Sequence, residues 1–382
     1  MNSNAKLGDI AEFINGAAFK PTDWEEEGKR IIRIQNLNDS SKPFNRTTRK
    51  VSDKLNVYPG DLLVSWSASL GVFTWNESDV ALLNQHIFRV IPNERLVDKQ
   101  YLRYGLEEAL AMMQNHLHGA TMKHVNRGEF LATRIPLPPL PEQKRIAEIL
   151  DRAEALRSQR RAALALLDEL TQSIFLDMFG DPVSNPREWP IIAFHDVCDS
   201  RLGKMLDAKK QVGDNPRPYM RNINVNWGKL DLSTVWEMDF DEKDRKEFRL
   251  LPNDVLICEG GAGVAQTAVW RGEIEECYFQ KSLHRVRPKP SIASPEYIAF
   301  LMRMMMRQGS ELMRLVSSAT IPHLTGVKLK SLRIPVPPIE LQCRFGYILE
   351  SIEQQRTLIH NHVAKFGTLF ASLQQRAFRG EL

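Results

Sequence analysis

Residues 135–182 read IPLPPLPEQKRIAEILDRAEALRSQRRAALALLDELTQSIFLDMFGDP. The cluster Pro136, Pro138, Pro139 and Pro141 removes backbone donors and fixes φ, so a helix can start only at its last proline. From Glu142 to Met178 there is neither proline nor glycine, and Ile149, Ala153, Leu156, Ala163, Leu167, Leu170 and Ile174 recur at 3/4 spacing. At 1.5 Å per residue this predicts a rod of roughly 55 Å, stopped by Gly180, Asp181 and Pro182. A rod with one narrow apolar stripe needs a partner of similar length.

The last 49 residues supply that partner. With the numbering shifted by 199, Ile135-Pro136-Leu137-Pro138-Pro139 falls on Ile334-Pro335-Val336-Pro337-Pro338 and Gln143 on Gln342. Ile149-Leu150 then falls on Ile348-Leu349, Leu170 on Leu369 and Phe179 on Phe378. Ile348, Ile352, Ile359, Phe366, Leu369 and Leu373 form the second stripe, so the predicted coiled-coil interface comprises these six with Ile149, Ala153, Leu156, Leu167, Leu170 and Ile174. Two matching helices, each closing one half of the chain, predict an antiparallel pair joining two globular units.

The segments between them also repeat in order. Residues 30–37 (RIIRIQNL) read as a β-branched strand, residues 58–61 (YPGD) as a turn into the strand 62–66, and residues 71–75 and 84–91 as further strands. Residues 99–116 have helical periodicity, and 116–126 (HLHGATMKHVN) are polar and exposed-looking. In the second half, residues 217–224 match 30–37 with Arg221 over Arg33, LPND at 251–254 matches YPGD, and 282–286 match 86–90. The helix 296–306 and the segment Ala319-Thr320-Ile321-Pro322-His323 complete the repeat. The fold class is α+β, two similar units joined by a long antiparallel helix pair. The boundaries are 1–135, 136–180, 181–333 and 334–382.

Net charge is +4 over 382 residues, divided +1, −1, +3 and +1 among those segments. Such mild basicity permits a nucleic-acid partner without requiring one. Cys198, Cys258, Cys277 and Cys343 are widely spread with no CxxC spacing, so neither a disulfide framework nor a zinc site is indicated. The N-terminus lacks a basic-then-apolar signal pattern and no apolar run approaches 18 residues, so a cytoplasmic protein is expected.

Catalytic signatures are missing. There is no GxxxxGK[ST], since Gly260-Gly261-Ala262-Gly263 has no following lysine, and no GxGxxG, HExxH or GxSxG. The Asn/Asp-Pro-Pro-aromatic tetrapeptide of amino-methyltransferases is absent too. His116/His118 and His360/His362 stand at i, i+2, which points them apart on a helix and makes solvated side chains of the last two. Trp66, Trp75, Trp227, Trp236 and Trp270 read as core or cap residues, and the methionines of 302–306 as packing.

What remains is recognition. Gln35, Asn36, Ser65, Ser67, Ser69, Thr121, Lys123 and His124 in the first half are side chains suited to base edges and phosphates. Arg221, Asn222, Asn224, Gln266, Thr320 and His323 are their counterparts in the second. Asn and Ser are also ordinary turn formers, so each alone is equally readable as local structure.

LPPLPEQKRIAEIL in the first copy, IPVPPIELQCRFGYIL in the second, the terminal FRGEL, YPGDLLVS and GATMKHV together resemble the specificity subunit of a type I restriction-modification system. The second copy departs from the pattern, with Glu340-Leu341-Gln342 where Pro141-Glu142-Gln143 stands. The resemblance implies a non-catalytic subunit whose two target recognition domains each read half of a bipartite double-stranded DNA target, while the helices set the gap. It also implies docking of two methyltransferase subunits, which would bring S-adenosylmethionine, and of restriction/translocase subunits. No cofactor or metal is then bound by this chain itself. A stand-alone DNA-binding regulator and a protein-binding scaffold are the alternative readings.

Overall fold

The computed structural model describes residues 3–116, 126–207, 213–307, 311–316 and 322–382. The chain forms two compact units, one built from Met1–Ala162 with Asn361–Leu382 and the other from Ala163–His360. Its fold is α+β, with the two long helices packed as an antiparallel pair.

In the first unit β1 (Ser3–Lys6), α1 (Leu7–Ile10), β2 (Ala11–Asn15), β3 (Lys29–Ile32) and α2 (Ile34–Asn38) are followed by β4 (Asn45–Thr47) and β5 (Asn56–Val57). Then come β6 (Leu62–Ser65), β7 (Gly71–Thr74), β8 (Ala81–Leu83), β9 (Ile87–Pro92), α3 (Lys99–His116), α4 (Arg127–Ala132), β10 (Arg134–Leu137) and the long helix α5 (Leu140–Phe179). One sheet has the order β2-β9-β6-β7, all antiparallel, and a second the order β4-β3-β8-β5 with β3 and β8 parallel. β6 is buried along its whole length, as its continuous Leu-Leu-Val run requires. A short antiparallel ladder pairs β1 with β10.

The second unit repeats this plan. Its elements are β11 (Ile191–Ala193), α6 (Phe194–Val197), β12 (Cys198–Leu202), β13 (Pro216–Met220), β14 (Val225–Asn226), β15 (Lys229–Leu230), β16 (Trp236–Asp239), α7 (Glu242–Phe248) and β17 (Val255–Cys258). β18 (Thr267–Val269), β19 (Tyr278–Phe279), β20 (Leu283–Pro288), α8 (Pro295–Arg307), α9 (Glu311–Val316), α10 (Gly326–Ser331), β21 (Arg333–Pro335) and the long helix α11 (Ile339–Ala377) follow. The order β12-β20-β17-β18 reproduces the first sheet, and β16-β13-β19 reproduces β4-β3-β8, including the parallel pair. YPGD and LPND make the same turn: Gly60 and Asn253 take φ of +86° and +74°, and Asp61 and Asp254 accept from the backbone of Tyr58 and Leu251. Gly tolerates that conformation freely, and Asn more readily than most other residues.

Two strands are shorter than the sequence predicts, for one shared reason. Residues 30–37 extend only through Ile32 before the chain turns into α2, and residues 217–224 only through Met220 before a 3₁₀ turn at Asn222–Asn224. Asn36 accepts from the Arg33 amide at 3.2 Å and donates to the carbonyls of Lys42 and Pro43. Asn224 accepts from the Arg221 amide at 2.9 Å and donates to the carbonyl of Asp231. Each side chain offers the backbone a partner other than the sheet ladder. β9 likewise begins only at Ile87, because Asn84 is held in a bridge to Ala17 and His86 sits at φ +67°.

The long helices meet within both units. In the first, Ile146, Ala147, Leu150 and Ala153 of α5 share a core with Phe370, Ala377 and Phe378, and with Tyr101, Tyr104 and Leu106 of α3. Arg145 reaches the carbonyl of Leu382 at 2.9 Å, while Arg157 lies over the Phe370 ring at 4.7 Å, so the two helices run in opposite directions. In the second, Arg356 pairs with Asp168 at 2.8 Å and Phe345 meets Phe175 and Phe179 at 5.5 Å between centroids. Gly180, at φ +78°, ends α5.

The seam is displaced from the predicted stripe. Ala153 and Ile352 are buried and Ile149, Leu167, Ile174, Ile348, Ile359, Phe366 and Leu373 half-buried, but Leu156, Leu170 and Leu369 are 44, 47 and 48% exposed. Buried positions of the two helices run instead through Leu150, Ala153, Thr171 and Phe175, and through Phe345, Ile352, Arg356 and Phe370. Polar residues inside the seam concealed its period, and leucines beside it imitated one. Trp75 and Trp270 are core residues as expected, whereas Trp236 is 59% exposed. Met302, Met304 and Met305 are buried in the second unit's core. Among the described residues no helix is long and apolar enough to cross a membrane.

Candidate nucleic-acid interface

In each unit the turn that follows β3 or its counterpart β13 lies against a β-hairpin loop. In the first, that turn is α2 and the loop is residues 66–70 between β6 and β7. Ser69 Oγ donates to Asn38 Oδ1 at 3.4 Å across them. In the second, the turn is Asn222–Asn224 and the loop is residues 259–266 between β17 and β18. A Cβ on Gly261 of that loop would stand 3.8 Å from Asn222 Nδ2; the Asn222 amide donates to Ser282 Oγ, between β19 and β20, at 3.1 Å, and Cys258 Sγ, at the end of β17, lies 3.6 Å from the Asn222 carbonyl. Burial pushes that thiol up to about 12, so it stays protonated near neutrality and packs as a small apolar group.

A third segment joins the second unit's loop. Gly261 donates to the Pro322 carbonyl at 3.2 Å, Leu324 donates to the Glu259 carbonyl at 2.7 Å, and Gly260 bridges to His323. A Cβ on Gly260 would stand 2.5 Å from His323 Nδ1, so glycine is what lets the two loops close together. His284, 1% exposed, supports the junction from below through Nε2, 2.7 Å from the Leu324 carbonyl. Burial lowers the His284 pKa, an effect opposed by that hydrogen bond and by Glu259.

The candidate residues separate into presenters and presented. Gln35, Asn222 and His323 are exposed. Ser69 and Arg221 are half-buried at the same loops. Asn36, Ser65, Ser67 and Asn224 are buried, at 5, 0, 6 and 0%. Ser65 donates to the Ser69 carbonyl within the hairpin, and both asparagines are consumed by the backbone contacts given above. These four shape the loops and do not offer their side chains to a ligand. Gln266 lines a cleft of about 850 Å³ with Trp227, Lys229, Arg271, Phe300 and Tyr347. Thr121, Lys123, His124 and Thr320 lie outside the described residues.

Sequence reasoning missed what holds the two turns. The Arg33 guanidinium lies 5.2 Å from the Trp24 ring centre and donates to Asn45 Oδ1. That of Arg221 lies 3.6 Å from the Trp236 ring centre and donates to the Thr234 carbonyl. The recurring signal was Arg-x-x-Asn at 33–36 and 221–224, read as strand when it is strand end and turn. In both turns the arginine precedes an exposed amide, Gln35 or Asn222. Carboxamides can bond adenine bidentately, and guanidinium groups bond phosphate or guanine.

The fold is a doubled α+β unit, each copy presenting polar loops beside a long helix, and its sequence places it among DNA specificity domains. The chain belongs to the family described as the type I restriction modification DNA specificity domain, whose model matches residues 2–166 and again 186–365. It is 25% identical over 416 residues to the specificity subunit of type I restriction enzyme EcoBI of Escherichia coli, covering 98% of this chain and 85% of that protein. It is 22% identical to the MjaVIII specificity subunit of Methanocaldococcus jannaschii, covering 91 and 85%. The S subunit of a type I system from M. genitalium has the same fold, with a TM-score of 0.58 at 14% identity over 98% of this chain and 96% of that one. A chain from a structure described for complex assembly and conformational transition of the type I system gives 0.61 at 19% identity, covering 100 and 98%.

Proposed function

We propose that each unit reads one half of a bipartite, asymmetric double-stranded DNA target and that the α5–α11 pair fixes the gap between the halves. The observation that carries this reading is the turn set beside a hairpin loop, built twice on one scaffold with different displayed side chains: Gln35 and Ser69 in one unit, Asn222 and His323 in the other. One fold with two surfaces suits a target whose halves differ in sequence. Half-sites one turn apart are separated by roughly 34 Å, a distance that rigid helices can hold.

On this reading the chain is a non-catalytic cytoplasmic subunit. Two methyltransferase subunits dock on it, bind S-adenosylmethionine and act on the DNA it selects, and restriction/translocase subunits complete the assembly. A net charge of +4 provides little phosphate neutralisation, so tight DNA binding draws on those partners. Band-shift titration of the chain alone and with its methyltransferase tests this. Weak binding alone that tightens on addition supports the assignment. Tight specific binding by the lone chain would favour a stand-alone regulator, and no DNA binding in either state would favour a protein scaffold.

A further inference from the structure

We infer that Arg33 and Arg221 are matched phosphate anchors, one per unit, which seat the DNA backbone while the neighbouring amides Gln35 and Asn222 face the bases. The inference rests on the DNA-reading function proposed above and assigns a division of labour within it.

The two arginines occupy one structural position. Each precedes a tight turn, each has its backbone amide accepted by the asparagine three residues on, and each guanidinium lies over an indole. Stacking fixes the plane of the guanidinium and sheathes one face, and a single hydrogen bond fixes its rotation in that plane. For Arg33 that bond uses Nη1 on Asn45, and for Arg221 it uses Nη2 on Thr234. Neither arginine makes an ion pair with a carboxylate among the described residues. Several strand arginines of the two units do: Arg30 with Asp79 and Glu77, Arg89 with Asp61, Arg217 with Glu276, Arg287 with Asp254. A cation that is held rigid yet left electrostatically uncompensated at an exposed turn is pre-organised for an anion supplied from outside.

Phosphate is favoured over a base edge by position. In each turn an exposed carboxamide follows within two residues, at Gln35 or at Asn222, whose Oδ1 also accepts from the Ile223 amide at 3.0 Å, while the arginine is half-buried at the base of the turn. Backbone contacts set register and base contacts set sequence, and the two side chains divide those tasks.

The test uses the full chain bound to its methyltransferase subunits, a duplex carrying the methylated motif, a scrambled duplex and a series of salt concentrations. Arg33→Met and Arg221→Met should each lower the slope of log K against log salt by about one on both duplexes, leaving the ratio of affinities unchanged. Arg33→Lys and Arg221→Lys, which keep the charge and lose the planar stack, should retain the slope and bind several-fold more weakly. Unchanged slopes in folded methionine variants, or loss of discrimination at one base pair, would overturn the inference. If the methionine variants fail to melt cooperatively, the lysine variants decide: wild-type affinity in both overturns it. A wild-type complex without preference for the motif duplex would instead overturn the parent function, and a preference with no effect of any variant only this one.

Discussion

Gln143 and Gln342 make the same three hydrogen bonds in the two units. Gln143 accepts from the Asp98 amide at 2.8 Å and donates to the carbonyls of Leu96 and Pro138 at 3.0 and 2.7 Å. Gln342 accepts from Ser294 at 3.0 Å and donates to Ile292 and Pro337 at 3.0 and 2.8 Å. Both glutamines are fully buried. Beside them Tyr101 and Tyr297 donate to the carbonyls of Pro136 and Pro335, each at 2.8 Å. The proline-led helix start is thereby bolted to α3 in one unit and to α8 in the other, and to the residues that lead into them. Gln143→Leu or Gln342→Leu leaves a backbone donor and two acceptors buried without partners, at a cost of about 1–3 kcal/mol each. Denaturant unfolding followed separately in each unit should place the loss in the unit that carries the substitution.

Arg356 is 7% exposed, paired with Asp168 on the facing helix and Glu353 on its own. Burying an ion pair returns little net stability, but burying like charges together is costly. Arg356→Met fills the same seam and leaves Asp168 and Glu353, 48 and 45% exposed, to water, so it should change stability by about 1 kcal/mol or less, whereas Arg356→Glu should cost about 3 kcal/mol or more. Equal losses in the two variants, measured by urea titration, would show that the seam does not exclude water at this position.

The lowered pKa of His284 has a defined sign. In the unfolded chain the ring titrates near 6.5, and the folded protein takes up that proton only at lower pH. Between those values the unfolded state binds more protons, so the stabilisation is complete above about pH 6.5 and is lost as pH falls below it. The melting temperature should therefore drop on acidification from pH 7.5 to 5.5. His284→Gln, which can keep a donor toward the Leu324 carbonyl, should reduce that drop, and an unaltered pH dependence would remove His284 as its source.

Asn222 and Asn224 stand two residues apart and should behave oppositely. Asn224 is buried and bonded to the turn it closes, so Asn224→Ala should cost about 1–3 kcal/mol of stability. Asn222 is exposed, and Asn222→Ala should leave melting unchanged while relaxing one position of one half-site. Thermal melting and methylation mapping of the two variants separate these roles.

The long helices, their proline-led starts and the doubling of the α+β unit were legible because each leaves a pattern longer than a single turn. The ends of β3 and β13 were not, because the ladder competed there with one asparagine amide whose carbonyl partners lie up to ten residues away. For the same reason Asn36 and Asn224 read as ligand-facing when they are internal braces. The seam was misplaced where Arg356 and Thr171 enter it and Leu156, Leu170 and Leu369 leave it. A hydrophobic period cannot register a buried guanidinium. The exposure of Trp236, and with it the Arg221 stack, depends on tertiary position and left no local signal.

If the helix pair sets the gap, its length and the half-site sequences are separable properties. Inserting four residues, about one helical turn, near Ala162 should lengthen the recognised gap and leave both half-sites unaltered. A change in either half-site would contradict a spacing role for the helices.

The most direct measurement is genome-wide adenine methylation in cells that carry this chain with its methyltransferase, compared with the same cells after deletion of the gene for this chain alone. The account predicts loss of one motif made of two unlike half-sites separated by a fixed unspecified gap. An unchanged methylation pattern, or loss of a single ungapped motif, would contradict it.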